Sequence, residues 1–143
     1  MSEKQHAEPR QNPKVHEQES SSHNIEIGKK GERAAAKFLE RRGYEILETN
    51  WKCKFGEADI IAEKDGVLVF VEVKTRTNVE KGFPEEAITR AKRKKYEVIA
   101  ATYLQDHFYV GINVRFDVIA LLVVAPDRAF LRHHVNAFGI DVL

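Results

Sequence analysis

Three side chains in the middle of the sequence have the types and spacing to bind a divalent cation beside a phosphate. Asp59 precedes Glu72 by a twelve-residue spacer, and Lys74 follows Glu72 after one more residue. Carboxylates commonly hold Mg²⁺ together with water and substrate phosphate. Phosphodiester hydrolysis requires such a cation and an oriented, deprotonated water. Asp59 and Glu72 would hold the cation, and Lys74 would lie near the attacking water and the phosphate.

Residues 56–76 have the pattern of a β-hairpin that would bring these side chains together. Asp65-Gly66 is a two-residue turn signal, because a type I′ turn needs positive φ at both central positions and Asp-Gly tolerates it. The residues after the turn are rich in β-branched and aromatic side chains, as strands are. With these two residues in the loop, Lys64 pairs with Val67.

This register predicts that Asp59 lies directly opposite Glu72, with Glu57 opposite Lys74. Side chains alternate between faces along a strand, so all four would share one face. Carboxylates facing each other at ~4.5–5.5 Å between Cβ atoms are destabilising. A divalent cation would compensate, and so would simple ion pairing with Lys74. The hairpin alone leaves an active site and a polar sheet face equally open.

The composition bounds the protein class without indicating a partner. The chain has 143 residues, enough for one domain, and its formal net charge is +1. No apolar run approaches the ~20 residues of a membrane span, and the N-terminus lacks the apolar core of a secretory signal. Cys53 is the single cysteine, which excludes an intrachain disulfide and favours a cytoplasmic location.

The chain divides into a polar tail and one domain. Residues 1–24 contain few aliphatic side chains and are predicted to be disordered, because they cannot bury enough apolar surface to offset their ordering entropy. The domain spans residues 25–143. Its apolar periodicity predicts a mixed α/β sheet of about five strands with flanking helices, the helices at residues 25–42 and 85–105 and the strands outside the hairpin at residues 44–49, 113–125 and 129–135.

Both helices carry charged residues that bear on the site. Glu32 lies on the flank of the first helix's apolar stripe, where a glutamate is ordinarily a solvated surface residue. Gly28 and Gly31 are costly inside a helix, so they predict a close approach by another backbone or a ligand. The second helix contains Arg90-Ala-Lys-Arg-Lys-Lys95, and a basic run of this density indicates phosphate contact as much as a solvated face.

Two further features of the last strands are interpreted as structural. Asp117 interrupts the apolar run of residues 113–125, and we predict a buried, hydrogen-bonded structural aspartate. His133 and His134 are adjacent, so on a strand they point to opposite faces and cannot bind one ion together. We interpret both as residues of an edge strand.

The residues resemble a known pattern. Asp59, Glu72 and Lys74 on a hairpin that follows a helix with Glu32 resemble the restriction-endonuclease-like superfamily, PD-(D/E)xK. A closer resemblance, over residues 28–138, is to the YraN family of bacterial proteins, itself similar to archaeal Holliday junction resolvases. It is carried by Gly31-Glu32, Gly43-Tyr44, Asn50-Trp51, Gly56-Glu57-x-Asp59, Phe70-Val-Glu-Val-Lys-Thr-Arg76, Lys92 and Arg115-Phe-Asp117.

The resemblance implies a restriction-endonuclease-like fold and a catalytic core of Asp59, Glu72 and Lys74. It adds Glu32 as the helix glutamate that approaches the metal from the side, and Lys92 as a basic position near nucleic acid. The implied cofactor is Mg²⁺ or Mn²⁺, bound by Asp59, Glu72 and Glu32.

The sequence thus predicts a metal-dependent nuclease acting on DNA, with branched DNA among its candidate substrates. A second hypothesis is a nucleic-acid-binding module that retains the fold without catalysis. A third is a structural domain whose acidic face is ion-paired. Nothing requires a homodimer, although resolvases of branched DNA are usually dimers. The expected phosphate contacts are Arg76, Lys92, Arg93 and Lys95.

Overall fold

The architecture is one mixed sheet with a helix on each face. The computed structural model describes residues 13–84 and 88–137. These residues form the helices α1 (Pro13–Arg41) and α2 (Arg90–Asp106), a 3₁₀ turn (Val79–Lys81), and the strands β1 (Glu45–Cys53), β2 (Gly56–Lys64), β3 (Val67–Arg76), β4 (Asn113–Ala125) and β5 (Arg128–His134). The strands lie in chain order, and β3 and β4 are parallel while the other neighbours are antiparallel. The predicted mixed five-stranded α/β fold is confirmed.

The two faces of the sheet bury separate apolar clusters. On one face, Phe70 packs with Ile99 and Tyr103 of α2. On the other, Val71 and Ile119 pack with Leu39 of α1. Successive residues of a strand point to opposite faces, so the continuous apolar run of β4 serves both clusters. Strand β4 is therefore a central strand that is covered on both faces.

The hairpin turn lies where the sequence places it. Asp65 has φ 52° and Gly66 has φ 77°, which are the positive values that an Asp-Gly turn supplies at low steric cost. Lys64 pairs with Val67, and the ladder continues in the predicted register to Ile60 and Val71.

The element limits differ from the sequence prediction at three places. The first helix begins at Pro13, twelve residues before the predicted start at residue 25. Lys, Glu and Gln are good helix formers, and extending a packed helix avoids the cost of nucleating one. Strand β1 continues through Cys53, beyond the predicted limit at residue 49. Helix α2 begins at Arg90, where the Thr89 side chain accepts a hydrogen bond from the Lys92 amide.

Some sequence predictions concern residues beyond the described part of the chain. Residues 1–12, 85–87 and 138–143 lie outside it, and the boundary between tail and domain stays a prediction. In the described residues, neither helix is long and apolar enough to cross a membrane.

Helix α2 meets the sheet through one stripe of residues. Ala91 and Val98 lie outside this stripe and are exposed. The residues that meet the sheet are Tyr96, Ile99, Ala100 and Tyr103. Tyr96 and Tyr103 bury large aromatic surface, and this outweighs the burial of one alanine and one valine on a neighbouring strip.

Asp117 anchors a buried polar network on the α1 face. Its side chain is fully buried, and it accepts hydrogen bonds from the Arg115 guanidinium at 2.9 Å, from the His133 ring at 2.8 Å and from the Asn136 amide at 2.8 Å. Burial alone would raise the pKa of Asp117, but the bonds from His133, Arg115 and Asn136 outweigh it and lower that pKa. The predicted structural aspartate is confirmed.

His133 is more deeply placed than an edge-strand residue was expected to be. Its side chain is 12% exposed and bonded to Asp117, and its ring packs edge-on against Phe38 and Tyr44. Strand β5 is an edge strand, but this face of it is covered by α1. His133 is therefore part of the core network.

Gly31 is required by packing between α1 and β3. A Cβ at this position would overlap the Thr75 side chain, so the close approach is made by a side chain of β3, where another backbone or a ligand was predicted. Gly28 has open space around it, so no neighbouring segment of the described chain approaches it.

We expect Gly31→Ala to destabilise the protein by about 1–3 kcal/mol, because overpacking against Thr75 outweighs alanine's better helix propensity. Urea denaturation would measure the loss. Thr75→Ala should restore part of it in the double variant, and a stabilised single variant would contradict the packing argument.

Candidate metal and phosphate site

The candidate site begins where the β2–β3 ladder ends. Regular backbone pairing stops at Ile60 and Val71. One residue further, the Asp59 carboxylate accepts a hydrogen bond from the Val73 amide at 2.8 Å. The predicted direct pairing of Asp59 with Glu72 is therefore replaced by a bond between side chain and backbone. The side chain takes the place of a strand partner, so both carboxylates remain at the same end of the hairpin.

The environment of Asp59 opposes its ionisation. Its pKa is raised to about 6: burial is the largest cause, the Val73 hydrogen bond opposes it, and the charges of Glu32, Glu72 and Glu57 contribute to the rise. Three other acidic residues, from α1, β2 and β3, thus act on Asp59. Concentrated negative charge of this kind is a feature of cation-binding sites and is unfavourable without a compensating charge.

Glu72 has one compensated oxygen and one uncompensated oxygen. Its residue exposure is 9%. Oε1 lies 2.8 Å from the Lys92 ammonium, while Oε2 is buried and has no hydrogen-bond partner among the described residues. A buried acceptor without a partner costs free energy. A ligand at this oxygen would remove that cost.

The other predicted acidic and basic core residues differ in their burial. Glu32 is half-buried on α1 and borders a cavity of about 190 Å³ with Asn50. Glu57 is exposed, and Lys74 is half-buried on β3. In residues 13–84 and 88–137, no three His, Cys, Asp or Glu side chains lie close enough to hold a metal ion together. Glu32 therefore acts on Asp59 through its charge, at a distance.

Tyr96 belongs to the site although the sequence interpretation missed it. Its side chain is 2% exposed, and the Lys92 ammonium lies 5.9 Å from its ring centroid. Burial raises the pKa of Tyr96 strongly, and the charges of the same four carboxylates add to the shift. The available signal was helical spacing, since Tyr96 lies one turn after Lys92 and so shares its face.

The four predicted phosphate contacts differ in their surroundings. Lys92 is bonded to Glu72, and the aliphatic chain of Lys95 lies against Gly56 at the start of β2. Arg93 is half-buried on the same helix. Arg76 donates from its guanidinium to the carbonyls of Lys81 and Phe83, so it holds the loop after β3.

Comparison with known proteins identifies bacterial relatives over most of the chain. The model of a family described as "Uncharacterised protein family UPF0102" matches residues 31–121. A UPF0102 protein of Geobacter sulfurreducens is 42% identical over 122 residues, covering 85% of this chain and 95% of the relative. One from Lachnoclostridium phytofermentans is 49% identical, covering 76% and 91%, and one from Rhodococcus jostii is 38% identical, covering 82% and 99%.

Proposed function

The chain belongs to the UPF0102 family, which is the YraN family that its sequence resembles, and we propose that it is a divalent-metal-dependent nuclease acting on DNA. The family's description names no activity, so the proposal rests on the site. The observation that carries the proposal is the buried Glu72 carboxylate, with one oxygen lacking a partner among the described residues, beside Asp59. Lys74 follows on the same strand. This set offers the groups that phosphodiester hydrolysis needs.

The residues fit Mg²⁺ or Mn²⁺. Oxygen ligands suit these hard cations, and Glu72 Oε2 is a buried oxygen that needs a partner. Asp59 and Glu72 would hold the ion with the Val73 carbonyl, and Glu32 would add negative potential. When bound, the metal would neutralise charge on the scissile phosphate and lower the pKa of a water molecule.

Lys74 is the residue that we propose acts on the attacking water and the scissile phosphate. Its ammonium is a compact charge on a flexible stem, and it would stabilise the developing hydroxide and the negative charge of the phosphate. Asp59 stays oriented by the Val73 amide. The burial of Glu72 keeps water away from its carboxylate and strengthens electrostatic interactions at the site.

The first turns of α2 favour an anionic partner. Arg90, Lys92, Arg93, Lys94 and Lys95 occupy the helix start, with no acidic residue in the first turn. The N-terminal end of a helix carries partial positive charge, so cations there are unfavourable for stability. Nucleic-acid phosphates would compensate that charge, and the binding would weaken as salt rises.

A cleavage screen tests the proposal. The full chain should cleave at least one of flap, junction, nicked and single-stranded DNA with Mn²⁺, and Glu72→Ala should cleave none at a detectable rate while retaining its circular dichroism spectrum. Absence of cleavage by the wild type on all four substrates, with Mn²⁺ and with Mg²⁺, would refute the nuclease assignment.

A non-catalytic nucleic-acid-binding module is the second candidate. The contact between Lys92 and Glu72 favours it, because a lysine can neutralise the carboxylate permanently. It predicts salt-dependent DNA binding without turnover, and unchanged binding by Glu72→Ala. A preference for branched DNA, a cytoplasmic location and a homodimer remain proposals.

A further inference from the structure

Lys92 occupies the place where a cation would compensate Glu72. Its ammonium lies 2.8 Å from Glu72 Oε1, and the two side chains are 43% and 11% exposed respectively. The lysine thus reaches from the surface of α2 to a buried carboxylate on β3. Because the ammonium is the accessible member of the pair, it can leave without exposing apolar core.

The surroundings hold this ammonium without fixing it. The Tyr96 ring lies beneath it, with the nitrogen 5.9 Å from the ring centroid, near the outer limit of a favourable cation–π contact. The second Glu72 oxygen has no partner among the described residues. One lysine therefore satisfies only one of the two Glu72 carboxylate oxygens.

We infer that Lys92 is the resident counter-cation of the site, that a divalent ion must displace it from Glu72, and that the displaced ammonium becomes available to the substrate phosphate. This inference rests on the proposed metal site. It assigns Lys92 two partners in sequence, Glu72 before the metal binds and a phosphate afterwards. Metal binding and phosphate binding are then coupled through one side chain.

Calorimetric titration of Mn²⁺ without DNA tests the competition directly. Lys92→Met removes the charge and keeps an unbranched chain over Tyr96. Lys94→Met is the matched control, because Lys94 is an exposed lysine on the same helix. We expect Lys92→Met to bind Mn²⁺ about tenfold more tightly than the wild type, since a charge-assisted hydrogen bond no longer has to be broken. Lys94→Met should stay within about twofold, as befits a screened surface charge.

A second readout uses the wild-type protein and does not depend on a variant. Acetylation of lysines by a water-soluble active ester, followed by mass spectrometry, should modify Lys92 faster with saturating Mg²⁺ than with EDTA. The rate at Lys94 should not change.

The outcomes separate this inference from the proposed function. If Lys92→Met and Lys94→Met bind Mn²⁺ equally, or if Lys92→Met binds it more weakly, the role of Lys92 is overturned. The metal site itself would still be supported if the wild type binds Mn²⁺ and Glu72→Gln does not. If neither the wild type nor Lys92→Met binds Mn²⁺, both the inference and the metal site are overturned.

Discussion

Replacing Asp59 by asparagine is expected to lower the proposed nuclease activity strongly and, at neutral pH without metal, to stabilise the fold. Asparagine keeps an oxygen that can accept the Val73 amide hydrogen bond but loses the charge that a cation needs. Because replacing even an indirect partner of a metal ligand costs about 10–100-fold in metal affinity or activity, we expect the cleavage rate to fall by at least ~100-fold. A time course with Mn²⁺ on the substrate found by the screen would measure the loss.

The stabilising effect follows from the raised pKa of Asp59. The pKa rises from 3.8 to about 6 in the folded protein, so the folded state binds the proton more tightly than the unfolded state. The resulting cost is absent below pH 3.8, grows between pH 3.8 and about 6, and is complete above that range. The Asp59→Asn variant escapes this cost, so its free energy of unfolding at neutral pH should exceed that of the wild type by about 1–3 kcal/mol.

Urea denaturation in EDTA at about pH 7.5 and about pH 4, on either side of the raised pKa, would test the sign. The advantage of Asp59→Asn should be present at the higher pH and largely gone at the lower. Asp127→Asn is the control, since Asp127 lies exposed in the turn before β5 and should change stability little at either pH. A variant that is less stable than the wild type at the higher pH would show that Asp59 is a structural residue. The hypothesis of an ion-paired acidic face predicts no change in stability when Asp59 is replaced by asparagine.

Replacing Asp117 by alanine is expected to have the largest effect on stability. The change leaves the Arg115 guanidinium and the Asn136 amide without their buried acceptor. Removing one member of a buried ion pair typically costs about 3–5 kcal/mol, a large part of the roughly 5–15 kcal/mol that stabilises an ordinary domain. We therefore expect a much lower urea midpoint and loss of soluble protein near physiological temperature.

Two controls distinguish the network from the candidate site. Arg115→Met combined with Asp117→Ala should recover part of the stability, because the unpaired charge is removed with its partner.

The depressed pKa of Asp117 also predicts that the contribution of Asp117 to folding stability is present above the unfolded-state pKa and is lost as the pH falls through the folded-state pKa. Asp117 lies on the sheet face opposite to Glu72, so folded variant protein should still bind Mn²⁺. Loss of Mn²⁺ binding would contradict the conclusion that the Asp117 network is separate from the candidate site.

Local sequence was sufficient to predict the hairpin turn and its register from Lys64–Val67 to Ile60–Val71, but not the pairs Asp59–Glu72 and Glu57–Lys74, which the ladder does not reach. Asp65 and Gly66 supply the positive φ values of the turn, and a two-residue loop fixes which residues pair. A period of two then predicts which side chains share a face within the paired part of the hairpin. Asp117 was predictable as well, because a charged residue inside an apolar strand needs buried partners.

The tertiary structure alone decided how the candidate site is completed. The ladder ends one pair before Glu72, where Asp59 bonds the Val73 amide, and the rotation of α2 brings Lys92 and Tyr96 to the carboxylates. Local sequence determines φ, ψ and face alternation over a few neighbouring residues. The rotation of a helix against a sheet depends on how side chains from distant segments fill a shared volume, so these contacts could not be derived from spacing.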